Sequence, residues 1–332
     1  MSSRKTLSLF AALLIALLPG GVAAATPDRT SDEGGDTPIC FYVSSYHVGL
    51  QWSDNIEAAL RTALDGHCRI ESFHMDTKRR RDPAYMVAAG KAAHARMLEV
   101  RPDVVIASDD NAARHFIEPW LLGTDMPVVF TGINWTIEEY NLPAPNVTGM
   151  IEVAPLEPLL QLGVKLSGGG RRALYFAGDT VSSHKDLHRL RLAGRKLGMS
   201  IDSILVDSLV SWHDNWRRVQ DQYDFIFVGH PGAFDGWDEE SMRRFTLDNT
   251  RIPVLASATQ AMPWAAVGLT RLPEELGEWA GASAVAILDG LPPSDIPLVT
   301  NRRWEAWINE PMVERIGLDI DKTFVRTAKR VR

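Results

Sequence analysis

The chain has 332 residues, 45% of them hydrophobic and 23% charged, with a formal charge of −7. That size suits two domains rather than one, and the composition is that of a packed protein rather than a disordered or fibrous chain. Net acidity without a long Lys/Arg run disfavours nucleic acid as a partner, and two cysteines cannot build a disulfide scaffold or a four-cysteine zinc site.

Residues 1–25 read as a secretory signal peptide. Arg4 and Lys5 supply a positive start, and Leu7 to Leu18 is a 12-residue apolar run too short to span a bilayer. Pro19-Gly20-Gly21 then breaks the helix, and Ala23-Ala24-Ala25 offers the small residues of a cleavage site. Residues 26–37, rich in Asp, Gly, Ser and Thr, are expected to be a flexible N-terminus. Export to an oxidising compartment would allow Cys40 and Cys68, each at the start of a predicted strand, to pair. A disulfide and two buried free thiols both fit the sequence, because geometry decides between them.

From Pro38 onward short apolar runs alternate with amphipathic segments, the βαβα pattern of a parallel sheet covered on both faces. Strands are predicted over Ile39–Ser45, Arg69–Met75, Val104–Ser108 and Val128–Gly132, with helices near Asp54–Leu64 and over Pro83–Val100. A second, similar series begins around Asn146–Glu152. It comprises strands Arg172–Ala177, Ile201–Val206, Phe225–Gly229 and Pro253–Ser257, with helices Ser183–Leu197, Asp214–Gln222 and Glu239–Asn249 between them. The expected fold class is α/β, with two doubly wound parallel-sheet lobes.

Ligands of such sheets collect beyond the carboxyl ends of the strands. That rule nominates the loops Ser44–Trp52, Ser108–Asn111, Thr131–Trp135, Gly178–Ser183, Gly229–Phe234 and Ser257–Trp264. Asp109-Asp110-Asn111 stands where a strand turns into a helix; capping accounts for one such residue and not for three. The helix start suits a ligand carboxylate, and a remaining Asp carboxylate suits a ligand ammonium. In the first loop, Tyr46 and Trp52 offer stacking surfaces, although Trp52 would equally serve to close its helix onto the sheet. His47 is read as a hydrogen-bonding group, since no metal-spaced ligand set surrounds it.

Other motifs carry less. His184 and His188 are four apart, but no Glu follows the first, and the surrounding cations mark a solvated helix face. Ser167-Gly168-Gly169-Gly170 precedes a strand instead of following one, so it reads as a linker turn and not a phosphate loop. No Gly-x-Ser-x-Gly elbow is present, and the Ser and His residues are scattered, which leaves a hydrolase unsupported. The chain is read as a non-enzyme with no cofactor.

Ser45-Tyr46-His47-x-Gly49-x-x-Trp52, Met75-Asp76-Thr77-Lys78-Arg79 and Arg101 to Ala112 (RPDVVIASDDNA), followed by Pro127 to Asn134 (PVVFTGIN) and Val147-Thr148-Gly149, resemble a family of ABC-transporter substrate-binding proteins. The likeness is strong over Ile39–Glu152 and continues more thinly through Ala280–Pro297 and Trp304–Gly317. The resemblance implies the type I periplasmic-binding-protein fold, with three crossings near Gly149–Val153, Met262–Val267 and Asp295–Val299. Lobe one would then hold 38–150 plus 266–296, and lobe two 151–265 plus 297–332. It also places a ligand against Ser44, Ser45, Tyr46, His47, Trp52, Asp109, Asp110, Asn111, Gly132, Asn134 and Trp135 in lobe one. In lobe two it points to Asp179, Thr180, Gly229, His230, Ser257, Ala258 and Trp264. Asp179 departs from relatives that bind tryptophan, which more often carry Asn, Pro and Ser in that loop. The implied function is a monomeric periplasmic protein that captures a small polar, amino-acid-like ligand for an ABC permease. Members with this Ser-Tyr-His pattern also resemble the extracytoplasmic parts of sensor kinases, so a sensing subunit for a membrane signalling partner is the alternative.

Overall fold

The computed structural model describes residues 37–331 apart from 232, 233, 235 and 237. The signal peptide expected over 1–25 and nearly all of the N-terminal segment expected over 26–37 lie outside the described residues, as does part of the Gly229–Phe234 loop.

The first lobe opens with β1 (Ile39–Ser44), α1 (Gln51–Ala63), β2 (Arg69–His74), α2 (Pro83–Val100) and β3 (Val104–Ser108). A short α3 (Asp109–Ala112) runs on through a π-helical turn, Ala113–Ile117, into α4 (Glu118–Trp120). β4 (Val128–Asn134) and β5 (Val147–Glu152) follow, and α5 (Leu156–Leu166) leads into β6 (Arg172–Gly178), α6 (Val181–Lys196), β7 (Ser200–Val206) and α7 (Leu209–Val219). Then come β8 (Phe225–Val228), α8 (Glu239–Asn249), β9 (Val254–Ala256), β10 (Val267–Arg271), α9 (Pro273–Leu288) and β11 (Val299–Thr300). The chain closes with β12 (Trp304–Ile308), α10 (Glu310–Ile316), α11 (Lys322–Thr327) and β13 (Lys329–Arg330).

These strands form two sheets, ordered β11-β5-β4-β3-β1-β2 and β13-β12-β10-β9-β8-β6-β7. All described pairings are parallel except β10 with β12. Strand alternation sends Cys40 and Tyr42 to one face of the first sheet, against α1 and α9, and Phe41 and Val43 to the other, against α2 and the π-helical turn. The second sheet repeats the arrangement, with Tyr175 and Phe227 on one face and Phe176, Trp212 and Trp216 packed on the other. Helices α1 and α9 touch backbone to backbone. A Cβ on Gly277 would stand 2.2 Å from the Ile56 carbonyl oxygen, so only glycine permits that approach.

Cys40 and Cys68 are joined in a disulfide that ties β1 to the segment entering β2. Two lobe assignments differ from expectation. β10 pairs with β9 and β12 in the second sheet, and β11 pairs with β5 in the first. The second crossing therefore lies between Arg271 and Pro273, and the third between Thr300 and Trp304. Short strands of this kind carry no local mark of which sheet edge accepts them; their backbone partners decide it. The expectation also began α7 five residues late, because Ser208 caps that helix by accepting from the Ser211 amide.

Candidate functional site

The loop after β1 is tied down by its own hydroxyls. Ser45 is fully buried; its hydroxyl donates to the Ser108 carbonyl at 2.6 Å and accepts from the Ala112 amide at 2.8 Å. Thr77 donates to the Ser45 carbonyl, and Asn111 donates to the Thr77 hydroxyl at 2.9 Å. Ser44 accepts from the Tyr46 amide. Ser44, Ser45 and Asn111 thus spend these polar groups on holding three strand ends together. His47 sits at the rim, its Nδ1 3.5 Å from Asp76 Oδ1. Among the described residues no three His, Cys, Asp or Glu side chains gather as a metal site would require.

Behind this loop the carboxylates converge. Asp109 adopts a left-handed conformation, φ 69°, and is only 3% exposed. Gly132 lies against it with a φ of +74°, the left-handed backbone that favours glycine, although a Cβ there would make only ordinary contact with Asp109 at 3.4 Å. Trp52 Nε1 donates to Asp109 Oδ1 at 3.2 Å, while Oδ2 is buried without a partner. Burial, then the neighbouring Glu152, holds the Asp109 carboxyl well above the usual carboxylate range.

Asp110 is fully engaged. It accepts from the Asn134 amide at 3.3 Å, from Asn134 Nδ2 at 2.6 Å and from the Tyr140 hydroxyl at 2.6 Å. Glu152, at the end of β5, is buried and ion-paired with Arg271 from β10. Burial raises its carboxyl to about 7 despite that cation. Arg271 also donates to Asn134 Oδ1 at 3.3 Å and lies 5.7 Å from the Trp52 ring centre. Tyr46 faces the same group; burial, followed by the charges of Asp109, Asp110 and Glu152, pushes its hydroxyl above the usual phenol range.

The second lobe contributes differently. Thr180 caps α6, accepting from the Ser183 amide at 3.1 Å, and Asp179 is solvent-facing and bonded to His184 at 2.8 Å. Gly229, His230, Ser257 and Ala258 line a cavity of about 90 Å³ together with Trp135, Tyr175 and Asp186. Trp135, φ 66°, reaches across from the end of β4 to pack on the second lobe's core, with the Arg189 guanidinium 4.6 Å from its ring centre. Trp264 does not join this group: it is 4% exposed and packs inside the other core of the second lobe.

The structure therefore brings Tyr46, Trp52, Asp109, Asp110, Gly132 and Asn134 together, and gathers Trp135, Gly229, His230, Ser257 and Ala258 around a second cavity. Three residues that reading of the sequence passed over complete the first group: Tyr140, Glu152 and Arg271. Glu152 ends a strand, the position that the strand-end rule inspects, and so was within reach. Arg271 carried no such mark, because its strand was not predicted. Three carboxylates facing one guanidinium, with one buried carboxylate oxygen unsatisfied, make a site suited to a cationic nitrogen on a ligand.

The fold has relatives among solved structures. A ligand-free, open substrate-binding protein with adhesive properties from Clostridium difficile aligns with a TM-score of 0.71 at 16% identity, covering 89% of this chain and 99% of that one. The ABC domain from Streptococcus pneumonia in complex with L-Trp aligns at 0.58 and 18% identity, covering 89% and 100%. A periplasmic ribose ABC transporter protein from Conexibacter woesei aligns at 0.53 and 12% identity, also over 89% and 100%. None of the curated proteins matches. At these identities the likeness establishes a shared fold. Residues 83–332 match the family described as ABC transporter substrate binding protein. The chain belongs to that family of substrate-binding proteins.

Proposed function

We propose that the protein captures a small polar ligand bearing an ammonium group, an amino acid or a close analogue, between its lobes and delivers it to an ABC permease. The observation that carries this reading is Asp109, whose buried Oδ2 has no partner while its other oxygen is held by Trp52. A ligand N–H would supply the missing bond, and Glu152 nearby adds to the negative potential. Tyr46 and Trp52 offer aromatic surface beside it, and in this reading the cavity lined by Gly229, His230 and Ser257 supplies the second lobe's part of the site. Arg271 joins β10 to Glu152 across the crossing, which suits a hinge between the lobes.

The signal-like leader supports release to the periplasm, where such a protein would act as a monomer. No helix among the described residues is long and apolar enough to cross a membrane. A thermal-shift screen against amino acids, amines, small peptides and sugars tests the reading. A ligand present at 100 times its dissociation constant adds about 2.7 kcal/mol of stability. Shifts confined to compounds with a cationic nitrogen support it; shifts by neutral sugars alone, or by nothing in the screen, refute it.

A further inference from the structure

A groove of about 720 Å³ lies beside the hinge and shares Trp135, Ala154 and Leu156 with the wall of the smaller cavity. It is lined by the first crossing and the start of α5 (residues 153–158), the third crossing (residues 300–304) and one flank of α6. None of the carboxylates of the cleft lines it, and neither do Gly229, His230 or Ser257. It is thus a separate concavity, of the size that small organic ligands occupy.

Its chemistry is opposite to that of the cleft. Trp135, Trp304 and Leu192 give it a broad apolar surface, and Leu192 is 42% exposed there. Four cations, Arg189, Arg195, Lys196 and Arg302, line it against one carboxylate, Glu157. Lys196 already pairs with Glu157 at 2.7 Å. The guanidinium groups of Arg189, Arg195 and Arg302 enter no ion pair among the described residues. The Arg189 guanidinium lies 4.6 Å from the Trp135 ring centre, within the field of Asp186 on the same helix, while Arg195 and Arg302 have no carboxylate paired with them among the described residues. A cation and an aromatic plane preset in this way match a flat anion, which would stack on the rings and accept from the guanidinium.

We propose that this hinge groove is a second ligand site, which takes a small organic anion with a flat apolar body, such as an aromatic carboxylate. The occupant would touch both lobes and two of the three crossings. Asn301 lines the groove and donates to the Val153 carbonyl at 3.2 Å while accepting the Val153 amide at 2.7 Å, so the two crossings are already clamped to each other there. Trp135 links the groove to the cleft, since its amide donates to the Glu152 carbonyl at 2.9 Å.

The test uses the full chain and two probes of matched shape, 2-naphthoate and the neutral 2-naphthamide, titrated by calorimetry. Naphthoate should bind about tenfold more tightly, the equivalent of about 1.4 kcal/mol for one charge-assisted contact. Arg189→Gln with Arg302→Gln should erase that preference while leaving the melting temperature within a degree or two. With ¹⁵N-labelled tryptophan, naphthoate should shift the indole signals of Trp135 and Trp304 and leave that of Trp52 in place. Absence of binding, equal affinity for the two probes, or an unchanged preference in the double variant would overturn the proposal. So would a shift at Trp52 without one at Trp304, which would place the probe in the cleft.

Discussion

Arg271, the last residue of β10 in the second sheet, is ion-paired with Glu152, the last residue of β5 in the first. The pair sits where the chain passes between lobes, and Glu152 is almost wholly shielded from water. Removing one partner of a buried pair leaves the other charge uncompensated, at a cost of about 3 kcal/mol or more. Arg271→Met should lose that amount at pH 8, as read by urea unfolding, and less at pH 5, where the Glu152 carboxyl can take up a proton.

The same carboxyl predicts a pH dependence in the unmodified protein. Glu152 is raised from an ordinary 4.5 to about 7 in the fold, chiefly by burial. Between those values the native state holds a proton that the unfolded chain has lost. This contribution to stability is therefore complete below about pH 4.5 and disappears as the pH rises through 7. Asp109, also raised, acts in the same direction. The stability difference between wild type and Glu152→Gln should shift against the wild type from pH 5 to pH 7.5; a difference that is constant with pH would disprove the assignment.

Asp109 and Asp110 should separate cleanly by substitution. Asp110 satisfies Asn134 and Tyr140, so Asp110→Ala leaves both unpaired and should cost about 2 kcal/mol without any ligand. Asp109→Asn keeps a residue tolerant of the left-handed backbone and removes a carboxyl whose ionisation burial opposes, so the ligand-free melting temperature should hold or rise. It should nonetheless weaken binding of an ammonium-bearing ligand at least tenfold. Melting curves with and without the ligand found in the screen check both statements.

The Cys40–Cys68 disulfide spans a sequence separation of 28. In the chain-entropy account its removal should cost about 3–4 kcal/mol. Alkylation after reduction, or paired Cys→Ala substitution, followed by urea unfolding would measure that loss.

The α1–α9 contact offers a steric test. Gly277→Ala forces a Cβ against the Ile56 carbonyl and should cost about 3 kcal/mol, because the obstacle is backbone and cannot rotate away. Gly290→Ala, with open space around it but a φ of +98°, should cost about 1 kcal/mol from backbone strain alone.

Much of the architecture was legible along the chain. The alternation that sends Phe41 and Val43 one way and Cys40 and Tyr42 the other is local, and so is the 3.6-residue pattern of α2 and α8; their predicted spans agree with the observed ones. Strand ends followed from those patterns, and with them the loops carrying Tyr46, Trp52, Asp109 and Asn134. Trp264 shows the limit of that rule: it follows a strand end in sequence, yet its ring turns into a core.

What the sequence by itself determined was the order of strands and helices and the set of loops that could face a ligand, because hydrophobic period and capping act between near neighbours. Tertiary structure decided which sheet receives β10 and β11, which of two adjacent aspartates is spent on Asn134 and Tyr140, and which keeps an unsatisfied oxygen. It also brought Arg271 to Glu152. Those outcomes rest on backbone pairing and desolvation among residues far apart in the chain, and no local pattern encodes them.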